Sequence, residues 1–180
     1  MTETPPLRSA PGACGWLPSW FVHPTHLELD CGFHLRPLRA VDLDLDLPAV
    51  LGSRASLHAR FGAAWGWPPA DLDAAADLRD LQRQEREMAE QVSFSYGVLD
   101  EAEDALAGCV YLDPPRGGAG PGADVDVSWW TVDAHAGSAL EAELPGALRD
   151  WLARDWPFTR PRFVGVDLSY EDWSRLAEPS

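Results

Sequence analysis

Apolar residues recur in several short runs along the chain, and these runs predict the strands of one sheet. Leu27–Leu29 and Phe33–Leu38 are extended runs on either side of a predicted turn. Ser93–Leu99 and Leu106–Leu112 flank an acidic turn, which predicts a β-hairpin. Asp124–Val132 alternates in polarity and predicts the next strand of an antiparallel run of three.

Two stretches between the early and the later strands have helical periodicity. The apolar positions from Leu47 to Phe61 recur at helical spacing after an acidic start that contains Pro48. Asp71–Gln91 shows a second apolar face, with Glu85 either at its edge or directed into a cleft. Both stretches therefore predict helices that precede the hairpin.

The last third of the chain predicts a strand–helix–strand unit. A helix follows Asp124–Val132 and runs to about Arg154, and then come the strand Arg162–Leu168 and a short helix, Tyr170–Ala177. A helix between two strands implies a right-handed crossover and a parallel strand pair. The predicted fold is therefore α/β (α+β), with a mixed, mainly antiparallel sheet flanked by helices.

Composition divides the chain into a tail and one domain. Residues 1–15 are rich in proline, glycine and small residues, which predicts a flexible tail. Residues 16–180 have the length of a single domain. No apolar run approaches the ~20 residues of a membrane span, and the N-terminus lacks the pattern of a signal peptide. Three irregularly spaced cysteines favour reduced thiols, so we expect a cytoplasmic protein.

The charge of the chain narrows the classes of partner. The formal net charge is −15, and the sequence contains no Lys, Asn or Ile, which points to a GC-rich bacterial genome. Nucleic acids and anionic membranes are disfavoured as partners, because binding to them rests on Lys and Arg. Electrostatic attraction to the negative chain mildly favours a cationic small molecule or a basic partner, although solubility is the simpler explanation of the charge.

Two clusters contain residue types that bind metals, but each has a simpler explanation. The first comprises His23, His26, Cys31 and His34, which are zinc-ligand types. The apolar residues among them explain that segment as strands. The second, the acidic run Asp42–Asp46, lacks the glycine and the distant Glu of a calcium loop and is typical of a helix start. We therefore predict no metal site.

The start of the last long helix has two competing signals. Ser138 and Glu141 form a capping-box pattern that would start the helix at Ser138. Pro145 favours a start near Glu141–Ala142, because proline fits best within the first turn. We predict the later start, which leaves Asp133–Leu140 as a long loop.

Alternation along Asp124–Val132 identifies a candidate for proton transfer. Asp124, Asp126, Ser128 and Trp130 share one face of this strand. A carboxylate on a face that helices should cover needs a function, and we predict that Asp126 deprotonates an ammonium acceptor as a general base. The alternative is that Asp124 and Asp126 are solubilising residues at a solvent-facing opening.

Four segments together resemble the GNAT superfamily of N-acetyltransferases. Phe33–Arg39 resembles the opening strand of that fold, Gly108–Leu112 the third strand and Ser128–Val132 the fourth. Trp151–Phe158 is similar to the segment that leads into the next strand in a group of short bacterial members. The resemblance extends over about residues 27–170 and implies a single GNAT-like domain over residues 16–180.

The resemblance implies an acyl-CoA-dependent N-acetyltransferase that uses acetyl-CoA as its co-substrate and a small amine as the acceptor. In the family a strand–loop–helix unit holds the acetyl-CoA. The corresponding residues here are Thr131, Val132, Ala136, Gly137, Ser138 and Ala139. The resemblance also implies Tyr170 as the catalytic acid that protonates the leaving thiolate, beside Asp126 as the catalytic base. Backbone N–H groups of the strand would hold the carbonyl oxygen.

Two departures from the family pattern support a second hypothesis. The loop Asp133–Ala139 has one glycine and no arginine, so it is a degenerate acetyl-CoA loop. The family usually has two more strands after the final helix, and here the C-terminal part is shortened. A partner chain in a homodimer could supply them. The alternative function is that of a catalytically inactive GNAT-fold binding or interaction protein.

Overall fold

A computed structural model of the chain describes residues 16–117 and 122–176. The predicted tail, residues 1–15, lies outside the described residues. Six strands form one sheet in chain order: β1 (Leu27–Glu28), β2 (Phe33–Pro37), β3 (Phe94–Asp100), β4 (Leu106–Asp113), β5 (Val125–Thr131) and β6 (Pro161–Phe163). Neighbouring strands are antiparallel from β1 to β5, and β5 and β6 are parallel. This arrangement confirms the predicted α+β fold with a mixed, mainly antiparallel sheet.

Five helices in the described part of the chain accompany the sheet. They are α1 (Leu43–Gly52), α2 (Arg54–Trp65), α3 (Ala74–Ala89), α4 (Ala139–Asp155) and α5 (Tyr170–Ser174). Short 3-10 turns at Ala40–Asp42 and Asp133–His135 precede α1 and α4. None of the described helices combines the length and the apolar character that a membrane crossing requires.

The stretch predicted as one helix between Leu47 and Phe61 is two helices. Ser53 separates α1 from α2 with φ −111° and ψ 15°, outside the helical range. Its buried hydroxyl accepts the backbone N–H of Asp133 at 3.0 Å, so a contact with a residue 80 positions away stabilises the break. The apolar periodicity continues through Ser53 and therefore does not reveal it.

The predicted late start of the last long helix is wrong. Helix α4 begins at Ala139, and the hydroxyl of Ser138 accepts the N–H of Glu141 at 3.4 Å. The carboxylate of Glu141 accepts the N–H of Gly137 at 2.6 Å. These caps, together with burial of the apolar face of the helix, offset the hydrogen bond that Pro145 cannot donate.

The final strand is shorter than the predicted run Arg162–Leu168. Strand β6 ends at Phe163, and the chain turns at Gly165, where φ is +91°. A glycine adopts this left-handed conformation without the steric cost that a side chain would bring. The end of β6 is therefore set by a turn within the predicted strand.

Two apolar layers cover the two faces of the sheet. Helix α4 and residues 16–21 pack on one face, around the fully buried Trp151. Helices α1, α2 and α3 pack on the other face, around the fully buried Trp130. Val127 lies in the first layer and Trp130 in the second, which confirms the predicted alternation along β5.

A pair of carboxyl groups lies buried between α1 and α3. Asp46 and Asp77 share a hydrogen bond, and both residues are more than nine-tenths buried. Burial and the charge of Asp77 raise the pKa of Asp46 well above its ordinary value, and burial raises the pKa of Asp77 to about 6. The Cys109 thiol also donates to Asp46, at 3.8 Å. The folded protein therefore holds protons at this pair more tightly than the unfolded chain does.

Replacing Asp77 by asparagine is expected to flatten the pH dependence of stability. The raised pKa makes stability fall as pH rises from the ordinary value of 3.8 through about 6. Asp77→Asn removes one titrating group. The difference in unfolding free energy between this variant and the wild type should therefore be about 1–2 kcal/mol more favourable to the variant at pH 8 than at pH 4. Urea unfolding at several pH values measures this, with Asp71→Asn, an exposed neighbour, as the matched control. Parallel pH profiles for Asp77→Asn and the wild type would contradict it.

Candidate functional site

The parallel strands β5 and β6 separate after a short pairing. They pair from Val125 to Val127, and the last contact joins the N–H of Val164 to the carbonyl of Val127 at 2.8 Å. Beyond this contact, Ser128–Thr131 continues to pair with β4, while the segment after β6 turns away at Gly165. On that side, Ser128–Thr131 pairs with no strand of the described part of the chain. A gap therefore opens between β5 and the turn that follows β6.

An arginine from α2 lies at the open edge of β5. Nη1 of Arg60 donates to the carbonyl oxygen of Trp129 at 3.2 Å. Arg60 is an exposed residue in the middle of α2, and 69 positions separate it from Trp129. Sequence reasoning missed it, because an arginine on the outer face of a helix has no signal that distinguishes it from a solubilising residue.

Tyr170 forms the other wall of the gap. Its ring makes edge-to-face contacts with Phe61 and Trp65, at centroid distances of 5.1 and 5.4 Å. It also covers Gly165, where an added Cβ would come within 2.7 Å of the ring. Burial raises the pKa of Tyr170 to about 12, and the positive charge of Arg60 opposes part of this shift. The phenol therefore stays protonated at neutral pH, and it is a weaker acid than an ordinary tyrosine.

Asp126 lies at the base of the gap with its carboxylate fully engaged. Arg162 donates to both carboxylate oxygens, at 2.7 and 2.9 Å. The indole of Trp173 donates to Oδ2 at 2.7 Å, and the N–H of Arg116 donates to it at 2.9 Å. The general-base role of Asp126 stays a prediction, and these four hydrogen bonds favour an anchoring role that joins β5, β6 and α5.

The alternative that Asp126 is a solubilising residue at a solvent-facing opening is wrong, whereas Asp124 is only half-buried. Asp126 is 3% exposed and forms an ion pair with the half-buried Arg162. Asp124 accepts the backbone N–H groups of Thr159 and Arg160 and thereby holds the segment that leads into β6. Both carboxylates accept hydrogen bonds that hold β6 and its leading segment to β5.

The residues predicted to contact acetyl-CoA lie together in one connection after β5. Thr131 ends the strand, Val132 leads into the 3-10 turn, and Ala136, Gly137, Ser138 and Ala139 lead into α4. Gly137 has φ +70°, a conformation that glycine adopts readily. Helix N-termini bind anions because their N–H groups are free and the helix dipole is positive there. The connection therefore has the geometry of an anion site.

Acidic side chains already occupy part of this connection. The carboxylate of Glu141 accepts the N–H of Gly137, at the place where a phosphate would bind. The carboxylate of Asp133 accepts the hydroxyl of Ser56 on α2, which binds the turn to the helix. An incoming phosphate would thus have to displace or tolerate Glu141, while Asp133 is held towards α2.

The four zinc-ligand types of the N-terminal segment do not converge on one point. The rings of His26 and His34 stack at 5.3 Å, and each bonds to a different glutamate. The ring of His23 packs against Phe94, and the backbone N–H of Cys31 donates a hydrogen bond to the carboxylate of Glu143. No group of three His, Cys, Asp or Glu in residues 16–117 and 122–176 could hold a metal ion. Their contacts explain these side chains as part of the β1–β2 packing.

Several solved structures have a similar fold. A probable acetyltransferase matches with a TM-score of 0.59 and 12% identity, over 77% of this chain and 72% of its own. The ribosomal L7/L12 alpha-N-protein acetyltransferase RimL in complex with coenzyme A matches at 0.56 and 14%, over 72% and 68%. The ribosomal-protein-S5-alanine acetyltransferase from Vibrio fischeri matches at 0.53 and 14%, over 72% and 67%.

Sequence comparisons add nothing to these structural matches. No family model and no curated protein matches the chain. At identities of 12–14%, the structural likeness shows a shared fold alone. It confirms the predicted GNAT fold, in which the meander of β2–β5, helix α4 and the parallel strand β6 follow one another in the expected order.

Proposed function

We propose that this chain, which has the GNAT fold, is an acyl-CoA-dependent N-acetyltransferase with acetyl-CoA as its co-substrate. One observation carries the proposal: β5 and β6 separate after Val127, directly beside the strand–turn–helix connection that ends at Ala139. The gap would receive the thioester arm, and the connection would lie against the phosphates. In the proposal, backbone N–H groups of β5 beyond Val127, which do not pair with β6, donate to the thioester carbonyl.

The proposed reaction transfers the acetyl group from sulfur to nitrogen. The acceptor ammonium first loses a proton, and the neutral amine attacks the thioester carbon. A C–N bond forms, the nitrogen releases a second proton to solvent, the C–S bond breaks, and the thiolate of coenzyme A leaves. In the proposal Tyr170 donates its proton to this thiolate and regains one from solvent, since its raised pKa keeps the phenol protonated at neutral pH. The products are the N-acetyl compound, coenzyme A and one proton.

The proposed acceptor is a small amine. A chain with a net charge of −15 attracts ammonium groups, which supports a cationic acceptor. Two of the solved structures with this fold are described as ribosomal-protein acetyltransferases, so a protein N-terminus is the competing acceptor. The homodimer and the cytoplasmic location stay predictions.

The second candidate function is a catalytically inactive binding or interaction protein. The position of Glu141 favours it, because a carboxylate on the N–H of Gly137 occupies the place of a phosphate. The two candidates differ in one measurable property. An enzyme of the proposed kind must bind acetyl-CoA, whereas the inactive protein need not.

Acetyl-CoA is expected to raise the melting temperature of the purified chain. Binding to the folded state alone stabilises by mass action, by about 5–10 °C at a hundredfold excess over Kd. Glu141→Gln should tighten binding about two- to fivefold, because the amide still accepts from Gly137 but no longer repels phosphate. Calorimetry with acetyl-CoA measures both effects.

Asp150→Asn is the matched control for this experiment. It removes one negative charge from an exposed position of α4, away from the N-terminus of the helix, and should leave the affinity unchanged. An unchanged melting temperature of the wild type at millimolar acetyl-CoA would refute the enzyme proposal and favour the inactive protein. Equal tightening by Asp150→Asn and Glu141→Gln would refute a phosphate site at Gly137 in particular.

A further inference from the structure

Arg60 is a cation whose charge the described protein does not neutralise. Its guanidinium donates one hydrogen bond, to the carbonyl of Trp129, and forms no ion pair with the described residues. The sequence has 29 Asp and Glu residues and only 14 Arg, so most arginines of this chain can find a carboxylate partner. Arg36, Arg83 and Arg162 each have one at 3.0 Å or less. Arg60 thus offers an exposed positive fork at the open edge of β5.

We infer that Arg60 binds a carboxylate of the acceptor, so that the acceptor is an α-amino acid. This inference rests on the proposed acetyltransferase function and specifies its substrate class. The guanidinium has five N–H donors in a planar fork that matches a carboxylate, and only one of them is used by Trp129. That bond to a rigid strand fixes the direction of the fork.

The spacing within an amino acid supports this assignment. Its amine and its carboxylate are attached to the same carbon atom, so binding of the carboxylate places the amine only a few ångströms away. Nη1 of Arg60 lies 3.2 Å from the carbonyl oxygen of Trp129, within the segment where the thioester carbonyl is proposed to bind. The amine of an acceptor held by Arg60 would therefore lie close to the reacting carbon.

The surroundings of Arg60 favour a zwitterion over a simple anion. Ser56 lies one helical turn before Arg60 on α2, and its hydroxyl donates to the exposed carboxylate of Asp133. A negative and a positive group thus border the same end of β5. Tyr170, another polar neighbour, carries no charge at neutral pH. An amino acid carries both complementary charges, whereas an alkylamine carries only one.

Acceptors that share one side chain and differ only at the carboxylate test the inference. Leucine, leucinamide and isopentylamine form such a set, and phenylalanine, phenylalaninamide and phenethylamine form a second. Release of coenzyme A thiol from acetyl-CoA reports the reaction. The wild type should show a KM for each amino acid about tenfold below that for its amide, because a charge-assisted bidentate bond is lost in the amide.

Substitutions of Arg60 should remove this preference and leave the chemical step in place. Arg60→Gln is expected to raise the KM for the amino acids about tenfold, with kcat and the KM for the amides within about twofold of the wild type. Arg60→Lys keeps the charge without the fork and should recover part of the effect. Arg79→Gln, an exposed arginine on α3, is the control and should behave like the wild type.

Failure of this inference can be distinguished from failure of the proposed function. If the wild type does not bind acetyl-CoA, the proposed function fails first. If it binds acetyl-CoA but acetylates amides as readily as amino acids, or acetylates no amino acid, only the role of Arg60 is overturned. An unchanged KM in folded Arg60→Gln, checked by its melting temperature, would also overturn it.

Discussion

Asp126→Ala is expected to lower the free energy of unfolding by about 3 kcal/mol, because it leaves the half-buried guanidinium of Arg162 without its carboxylate. The substitution also removes the acceptor of the Trp173 indole and of the Arg116 N–H. These groups come from β6, α5 and the loop after β4, so their loss should loosen the base of the gap. Urea unfolding followed by tryptophan fluorescence measures the effect.

Two further variants determine which function of Asp126 the structure supports. Asp126→Ala combined with Arg162→Ala should cost less than the sum of the single changes, because the unpaired cation is then absent. Asp126→Asn still accepts hydrogen bonds from Arg162 and Trp173. If Asp126 serves only as an anchor, this variant should retain turnover at assay temperatures well below its melting temperature. Loss of turnover in folded Asp126→Asn would instead support the general-base prediction. A cost below 1 kcal/mol for Asp126→Ala would contradict the anchoring role.

Gly108→Ala is expected to cost about 3 kcal/mol, at the upper end of what overpacking costs in protein cores. Gly108 lies in β4 opposite Thr131 of β5. An added Cβ would come within 2.1 Å of the carbonyl oxygen of Trp130 and 3.0 Å of the Cα of Thr131. Both obstacles are backbone atoms, so no rotamer change relieves the clash. Strand β5 would have to move, and the gap beside it would change shape.

Gly146→Ala is the matched control, with an effect of the opposite sign. Gly146 lies within α4, is exposed, and has open space where its Cβ would be. Alanine there should stabilise the protein by about 0.5–1 kcal/mol, because it has a higher helix propensity than glycine. Denaturant unfolding of both variants measures the pair. A neutral Gly108→Ala would contradict the close approach of β4 and β5.

Local patterns predicted most of the elements correctly. The hairpin of β3 and β4 and the periodic face of α3 each depend on residues near one another in the chain, and both are present. The errors fall where a local pattern conflicts with a distant contact. Ser53 interrupts a periodic helix because it binds Asp133, and Pro145 lies inside α4 because the caps at Ser138 and the packed face hold the helix.

The candidate site was predictable only in part. The order of strand, turn and helix around Gly137 was predicted correctly, because its signals are contiguous in the sequence, but the helix begins earlier than predicted. Tyr170 is in contact with Phe61 and Trp65, and nothing in the spacing of these residues indicates that they meet. Arg60 was not predicted at all, since its position at β5 depends on how α2 crosses the sheet.

The sequence by itself determined the fold of this protein, because hydrophobic periodicity, turn residues and element order act over short distances along the chain. Only the tertiary structure decided the chemistry of the gap. It brings Arg162 into hydrogen-bonding contact with Asp126, 36 positions away in the sequence, and Arg60 into contact with the carbonyl of Trp129, 69 positions away. It also placed Glu141 on the N–H of Gly137. Charges and hydrogen bonds acquire their roles from neighbours in space, and composition and local spacing do not specify those neighbours.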